Sequence, residues 1–286
     1  MLKNLYFCKK TTHMTEHPNC KINIGLSVVE RRSDGYHNLE SVFYPVGLCD
    51  DLEIERSAAF SFSQNGIALD CDYSDNLCVK AYRLLQSEFP HIGPVSIRLS
   101  KRIPSGAGMG GGSADAAFTL KMLNTLFGLG LNNGQLQKYA ARLGADCAFF
   151  IENKPVMAKG KGDEFEEIHL DLGGYRLLLV KPDVGVSTAE AYQSIVPAPA
   201  AFDLHKLGST PMKDWKKLVT NDFEKGIFPK LPLLGEIKQQ LYAHGALYAS
   251  MSGSGSTVYG IFASDSDILE IEKRYSGKFF TAGFRL

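Results

Sequence analysis

"PSGAGMGGGSADAA", Pro104–Ala117, places glycine at 106, 108, 110, 111 and 112, directly before a helix-forming run. A tight turn needs one or two glycines. This many leave a row of backbone N–H groups without flanking side chains, and such a row makes a concave cradle for an anion. The N-terminus of the helix that starts at Ser113 adds partial positive charge and further free N–H groups. Just ahead, "VSIRLSK" (Val95–Lys101) alternates apolar and polar residues as a half-buried strand does. Strand, glycine loop and helix in that order suit a di- or triphosphate better than the alternatives, a flexible linker or a close helix–strand contact. No lysine follows the glycines, so the stretch is not a P-loop. Gly106, Gly108 and Gly111 match G-x-G-x-x-G, but a dinucleotide site needs a second strand ending in an acid about 20 residues on. After Phe127 the chain gives "GLGLNNGQLQKYAARLG", a turn and another helix.

The surrounding chain bounds the setting. Its 286 residues suffice for one large or two ordinary domains, and 44% hydrophobic content fills a sizeable core. Lys+Arg and Asp+Glu are both 31, so no overall basic charge favours nucleic acid. The six cysteines, Cys8, Cys20, Cys49, Cys71, Cys78 and Cys147, show no C-x-x-C spacing and fit a reduced, cytoplasmic protein. No apolar run approaches the roughly 20 residues of a membrane span. The N-terminal residues read as a disordered extension, with Met14 as an alternative start.

Cys20–Val29 reads as a strand, "RRSDGYH" as a turn, and "LESVFYPVGLCDDLEIER" as two strands joined by a bend over 45–51. "SDNLCVKAYRLLQSEF" reads as a helix capped by Ser74, Ser113–Phe127 as a helix closed by Gly128, and Asn133–Leu143 as another closed by Gly144. "YRLLLVKP" (Tyr175–Pro182) is a buried strand, and "ALYASMSGSGSTVYGIFA" reads as strand, glycine turn, strand. Strand runs and paired helices without regular alternation predict an α+β fold. A domain boundary is expected near residues 168–174.

Three separated segments, "PNCKINIGL" (Pro18–Leu26), the glycine stretch and "MSGSGSTV" (Met251–Val258), resemble the three motifs of the GHMP kinases. "RRSDGYHNLESVF" (Arg31–Phe43) and "LGADCAFF" (Leu143–Phe150) resemble the branch of that family whose acceptor is a cytidyl diphosphate sugar alcohol of isoprenoid biosynthesis. The resemblance spans Pro18 to Phe262. It departs at Cys20, where the family usually has alanine, and at Ala148, where proline is common. It implies a two-domain GHMP kinase fold with the active site between the domains. The segments would be 1–17 as an N-terminal extension, 18–170 as the N-terminal domain and 171–286 as the C-terminal domain. The cosubstrate would be ATP, with Mg²⁺.

The resemblance also distributes roles. Pro104, Ser105, Gly106, Ala107, Gly108 and Met109 would open the ATP site, and Gly110, Gly111, Gly112, Ser113 and Ala114 would complete it. Asp146 would be the general base, with Lys21 orienting it and offsetting charge; the alternative is a structural ion pair. Asn23 shares the strand face of Lys21 and would bond the substrate alcohol or the Asp146 loop. Ser113 offers a hydroxyl to phosphate or Mg²⁺, or caps the helix. Tyr36 would stack on cytosine, His37 would read its polar edge, and Tyr192 would close the other side, with Phe43 and Thr188 as further pocket residues. "SGSGST" (Ser252–Thr257) would brace the phosphate loop. Another small-molecule kinase of the family, a catalytically silent nucleotide sensor and a dinucleotide-binding oxidoreductase stand as alternatives.

Overall fold

The computed structural model describes residues 12–68 and 72–286. The first half of the chain carries β1 (His13–Glu16), β2 (Asn19–Arg31), β3 (His37–Cys49), β4 (Asp51–Arg56), β5 (Ser61–Gly66), β6 (Val95–Lys101), β7 (Val156–Lys159) and β8 (Glu164–Glu167). The second carries β9 (Arg176–Lys181), β10 (Tyr248–Met251), β11 (Val258–Phe262) and β12 (Phe280–Arg285). They form three sheets of order β1-β4-β6-β5, β2-β3-β7-β8 and β10-β11-β9-β12. With helices α1 (Leu77–Glu88), α3 (Asn133–Ala141) and α4 (Phe149–Glu152) gathered around α2 (Gly111–Phe127), which packs on β1, β2 and β4, the architecture is the expected α+β.

Three local expectations change. The bend expected over 45–51 is instead a continuous strand to Cys49, broken only at Asp50. Pro45 pairs with Lys21, whose N–H turns away from β3 to the Met109 carbonyl, so the two form a non-hydrogen-bonded pair. The donor that proline lacks would therefore point to the β7 side, where pairing has already ended at Phe43. Ser74 is not the cap of α1. Tyr73–Asp75 forms a 3₁₀ turn and the Asn76 side chain accepts from the Cys78 N–H. The expected N-terminal extension forms a strand over His13–Glu16 on β4, while residues 1–11 and Cys71 lie outside the described residues.

Helix α2 is the pillar of the first half. Ala114, Ala116, Ala117, Leu120 and Leu123 are all buried, and the small residues let it sit close to α1, α3 and α4. Each buried leucine contributes about 1.5–3 kcal/mol. A second apolar cluster crosses between the halves, joining Ile22 and Ile24 of β2 to Leu177 and Leu179 of β9 and to Tyr259 of β11. The Tyr259 hydroxyl donates to the Asn23 carbonyl at 2.8 Å, tying β2 to the second-half sheet.

Under the glycine loop lies a buried charge cluster that no motif announced. Lys101, at the end of β6, pairs with Asp50 and donates to Asp115 Oδ2 at 2.8 Å. Asp50 Oδ1 accepts from the backbone N–H groups of Arg102 and Ile103, at 2.6 and 2.9 Å, where the chain leaves the strand for the loop. One lysine serves two carboxylates. Burial pushes the Asp115 carboxyl up to about 7, against the pull of Lys101 and with the help of Asp50. Its Oδ1 has no hydrogen-bond partner among the described residues. The folded chain therefore holds a proton that the unfolded chain releases, and this contribution to stability is lost as pH rises from about 4 to about 7. Urea unfolding of the wild type and of Asp115→Asn across that range measures it. The wild type should lose more than about 1 kcal/mol relative to the variant, and parallel profiles would contradict the assignment.

Candidate active site

A cavity of about 690 Å³ is bounded by the glycine loop, Lys21 on β2, Tyr36, Asp146, and Thr188, Tyr192 and Gly253–Gly255 from the second half. The loop takes its course from contacts on its far side. The Met109 carbonyl accepts from the Lys21 N–H at 3.0 Å and the Ala107 carbonyl from the Thr257 N–H at 3.3 Å. The Gly108 carbonyl accepts from the Ser252 hydroxyl at 2.8 Å, and that hydroxyl accepts from the Asn23 N–H at 3.2 Å. Three consecutive carbonyls are thus turned into the protein. Gly108 has φ +74°, and a Cβ there would run into the Ser252 carbonyl. A Cβ on Gly106, by contrast, would meet nothing within 4 Å. The cradle has room for phosphate there, and the first N–H groups of α2 beside it have no intrahelical partner. Two loop residues expected at the ATP site face the other way. Met109 lies in the cluster joining the halves and Ala114 in the core around α2, both buried.

Lys21 and Asp146 meet. The ammonium lies 3.3 Å from Asp146 Oδ2, with the lysine side chain 4% exposed and the aspartate 33%. Burying an ammonium is costly unless it is paired. Lys21 gains the carboxylate, a hydrogen bond to Asn23 Oδ1, and the face of the Phe43 ring at 4.6 Å. Asn23 is in turn fixed by donating to the Ser41 hydroxyl at 2.9 Å. Both ends of its amide are engaged away from the Asp146 loop, so Asn23 positions the lysine. Asp146 sits on a 3₁₀ turn over Ala145–Cys147, held against α2 by the buried Cys147. Burial pushes that thiol up to about 12, and the hydroxyl of Ser113 beside it pulls the other way. The arrangement puts a half-exposed carboxylate and a buried cation at one end of a cavity whose wall is an anion cradle.

Comparison with known proteins agrees with this geometry. The family model for the GHMP kinases N terminal domain matches residues 76–154, and that for the GHMP kinases C terminal matches residues 204–281. A 4-diphosphocytidyl-2-C-methyl-D-erythritol kinase of Bacteroides thetaiotaomicron is 53% identical over 263 residues, covering 91% of this chain and 96% of the relative. The chain belongs to the 4-diphosphocytidyl-2-C-methyl-D-erythritol kinase family. A member from Parabacteroides distasonis is 49% identical over 88% of this chain and 93% of its own length. A crystal structure of a 4-(cytidine 5'-diphospho)-2C-methyl-D-erythritol kinase superposes with a TM-score of 0.78 at 29% identity, over 94% of this chain and 98% of that one.

The two departures from the family's motifs are benign in the structure. Ala148 has φ −64°, the value a proline ring imposes, so either residue suits the start of α4. Cys20 is wholly buried in the apolar cluster joining the halves. The ring stacked on Tyr192, which lines the cavity, is that of His37, at 4.9 Å between centroids and 15° between planes. Tyr36 stands apart, 62% exposed, with the Lys161 ammonium 5.1 Å from its ring centroid. Thr188 meets the Ser254 hydroxyl at 3.2 Å on the glycine turn. Phe43 is 2% exposed and acts as the floor beneath Lys21.

The kinase-family site also uses residues that carried no signal in the sequence. Ser252 was visible only as part of a brace, yet its hydroxyl links β2 to the loop. Asn221 donates to the Met251 and Gly253 carbonyls, both at 2.8 Å, and so fixes the turn that holds Ser252. Flanked by Thr220 and Asp222, it has nothing in the sequence to set it apart. The loop geometry yields a paired expectation. Gly106→Val should weaken binding of a non-hydrolysable ATP analogue by tenfold or more, because its side chain enters the cradle and because a β-branched residue is strained at φ +59°. Gly110→Val should instead act on Lys21, since a Cβ there lies 3.3 Å from the lysine Cε and 3.1 Å from the Phe150 ring. Calorimetry checks both, and an unchanged affinity in folded Gly106→Val would remove the cradle from this position.

Proposed function

We propose that the protein transfers the γ-phosphoryl group of ATP to the 2-hydroxyl of 4-diphosphocytidyl-2-C-methyl-D-erythritol, a step of the methylerythritol phosphate route to isoprenoid precursors. The observation that carries this reading is the contact between Lys21 and Asp146 at 3.3 Å, at the edge of the glycine cradle and inside the same cavity as Tyr36 and Tyr192. Phosphoryl transfer to an alcohol asks for a held triphosphate, an aligned hydroxyl, and help with its proton and the developing charge. Asp146 takes the hydroxyl proton as the alcohol oxygen bonds to the γ-phosphorus and the bond from that phosphorus to the β–γ bridging oxygen breaks, releasing ADP, while Lys21 orients the carboxylate and offsets negative charge. The loop N–H groups and the α2 N-terminus hold the phosphates. Tyr36, His37 and Tyr192 supply aromatic surface for the cytosine, as stacking platforms do for single bases. Mg²⁺ arriving with ATP would neutralise phosphate charge. Ser113 is the hydroxyl this chain offers beside the cradle.

Among the described residues no helix is long and apolar enough to cross a membrane. Two measurements test the function. ADP release in the presence of the cytidyl substrate, mevalonate, homoserine or galactose should be supported by the first alone; release with another alcohol only would assign a different acceptor. Asp146→Asn should keep ATP binding and lose turnover by roughly 10²–10⁴-fold, and retention of more than about a tenth of the activity would exclude it as the base.

A further inference from the structure

Asp50 is wholly buried between β3 and β4 and does not line the active-site cavity. Its own N–H donates to the Pro18 carbonyl at 2.9 Å, so the main chain fixes where its side chain starts. A buried carboxylate is costly unless its oxygens are bonded or paired. Here both are committed, and both lead to the same place. Oδ1 accepts from the N–H groups of Arg102 and Ile103, at 2.6 and 2.9 Å, the last two residues before Pro104 and the glycine loop. Ile103 is in turn the surface on which α2 begins: a Cβ on Gly111 would lie 2.7 Å from Ile103 Cγ2. Oδ2 pairs with the Lys101 ammonium, which donates to Asp115 Oδ2 at 2.8 Å near the start of α2. That ammonium would lie 3.4 Å from the same Gly111 Cβ.

The two routes converge on a part of the cradle that is not held from elsewhere. The middle of the loop is fixed by other partners: the Ala107, Gly108 and Met109 carbonyls accept from Thr257, Ser252 and Lys21. Those bonds stop short of Gly111, Gly112 and Ser113, which line the cavity and whose N–H groups open the helix without intrahelical partners. A phosphate gains from these N–H groups and from the helix dipole while they stay aimed at it. At a reacting centre a misplacement of about 1 Å can cost on the order of 100-fold. One carboxylate therefore sets the aim of the first turn of α2 from beneath, by packing through Ile103 and by charge through Lys101.

We infer that Asp50 is a positioning residue for the phosphates of ATP, acting through Ile103 and Lys101 on the N-terminus of α2; the inference rests on the function proposed above. The test is calorimetry of a non-hydrolysable ATP analogue and, separately, of the acceptor against the wild type, Asp50→Asn and Asp50→Ala, with near-ultraviolet circular dichroism to check each fold. Asp50→Ala removes both routes and should weaken the ATP analogue by about tenfold or more. Asp50→Asn keeps an oxygen for the two N–H groups and gives up the ion pair, so it should fall between, at least about threefold weaker than the wild type. The affinity for the acceptor should stay within about twofold in both variants, and the KM for ATP should rise in the same order as the affinities fall. Unchanged affinity for the ATP analogue in the folded variants overturns the inference. Equal losses for the two ligands also overturn it, because they would make Asp50 a support of the fold alone. Should Asp50→Ala not fold, Asp50→Asn decides by the same ratio of the two affinities. A wild type that binds the acceptor and not the ATP analogue overturns the proposed phosphate site and the inference with it.

Discussion

Gly108 brings the glycine loop into main-chain contact with Ser252, a residue of the other half of the chain, and no side chain fits between them. That approach fixes the loop's course. With it, the Ser252 hydroxyl bridges the Gly108 carbonyl to the Asn23 N–H, and Met109 becomes the acceptor for Lys21. The backbone that shapes the cradle is therefore the same backbone that places the lysine. Asn221 holds the turn that presents Ser252, and Tyr259 holds the strand that presents Asn23. A disturbance at any of these points reaches both the glycine cradle and the pairing of Lys21 with Asp146.

Charge is distributed by the same economy of position. Lys101 lies beneath the loop and is consumed by Asp50 and Asp115, so its role is to pin the loop's entry to α2. Lys21 is buried and shared between Asn23 and Asp146, so its direction is fixed before any substrate arrives. Lys161 is exposed and uncommitted. A fully buried cation without a partner would be costly, whereas an exposed one is not. The difference in burial separates two lysines held by carboxylates from one that has no ion-pair partner among the described residues.

What the sequence made legible was local. The glycine loop, α2 and the strand of Lys21 declare themselves through spacing over a few residues, and the lysine and aspartate were assigned through the resemblance of whole motifs. What it hid depends on distant partners. Pro45 looked like a bend because the strand's tolerance of proline rests on where β7 stops pairing. Ser74 and Asn76 are both good caps, and only the 3₁₀ turn over Tyr73–Asp75 decides for Asn76. Met109 and Ala114 belong to the glycine motif by sequence, yet the loop's reversal and the helix's inner face bury both. The stacking of His37 on Tyr192 and the burial of Lys101 between two carboxylates join segments far apart in the chain, and periodicity carries no information about such pairs.

Phosphorus NMR of the wild-type protein with ATP, Mg²⁺ and 4-diphosphocytidyl-2-C-methyl-D-erythritol tests most directly whether Lys21, Asp146 and the glycine cradle act together on an alcohol. The expected spectrum gains a phosphomonoester resonance as ADP forms, while both resonances of the acceptor's diphosphate persist. ADP formation without a phosphomonoester, or loss of the acceptor's diphosphate resonances, would show that the hydroxyl beside Asp146 is not the phosphoryl acceptor.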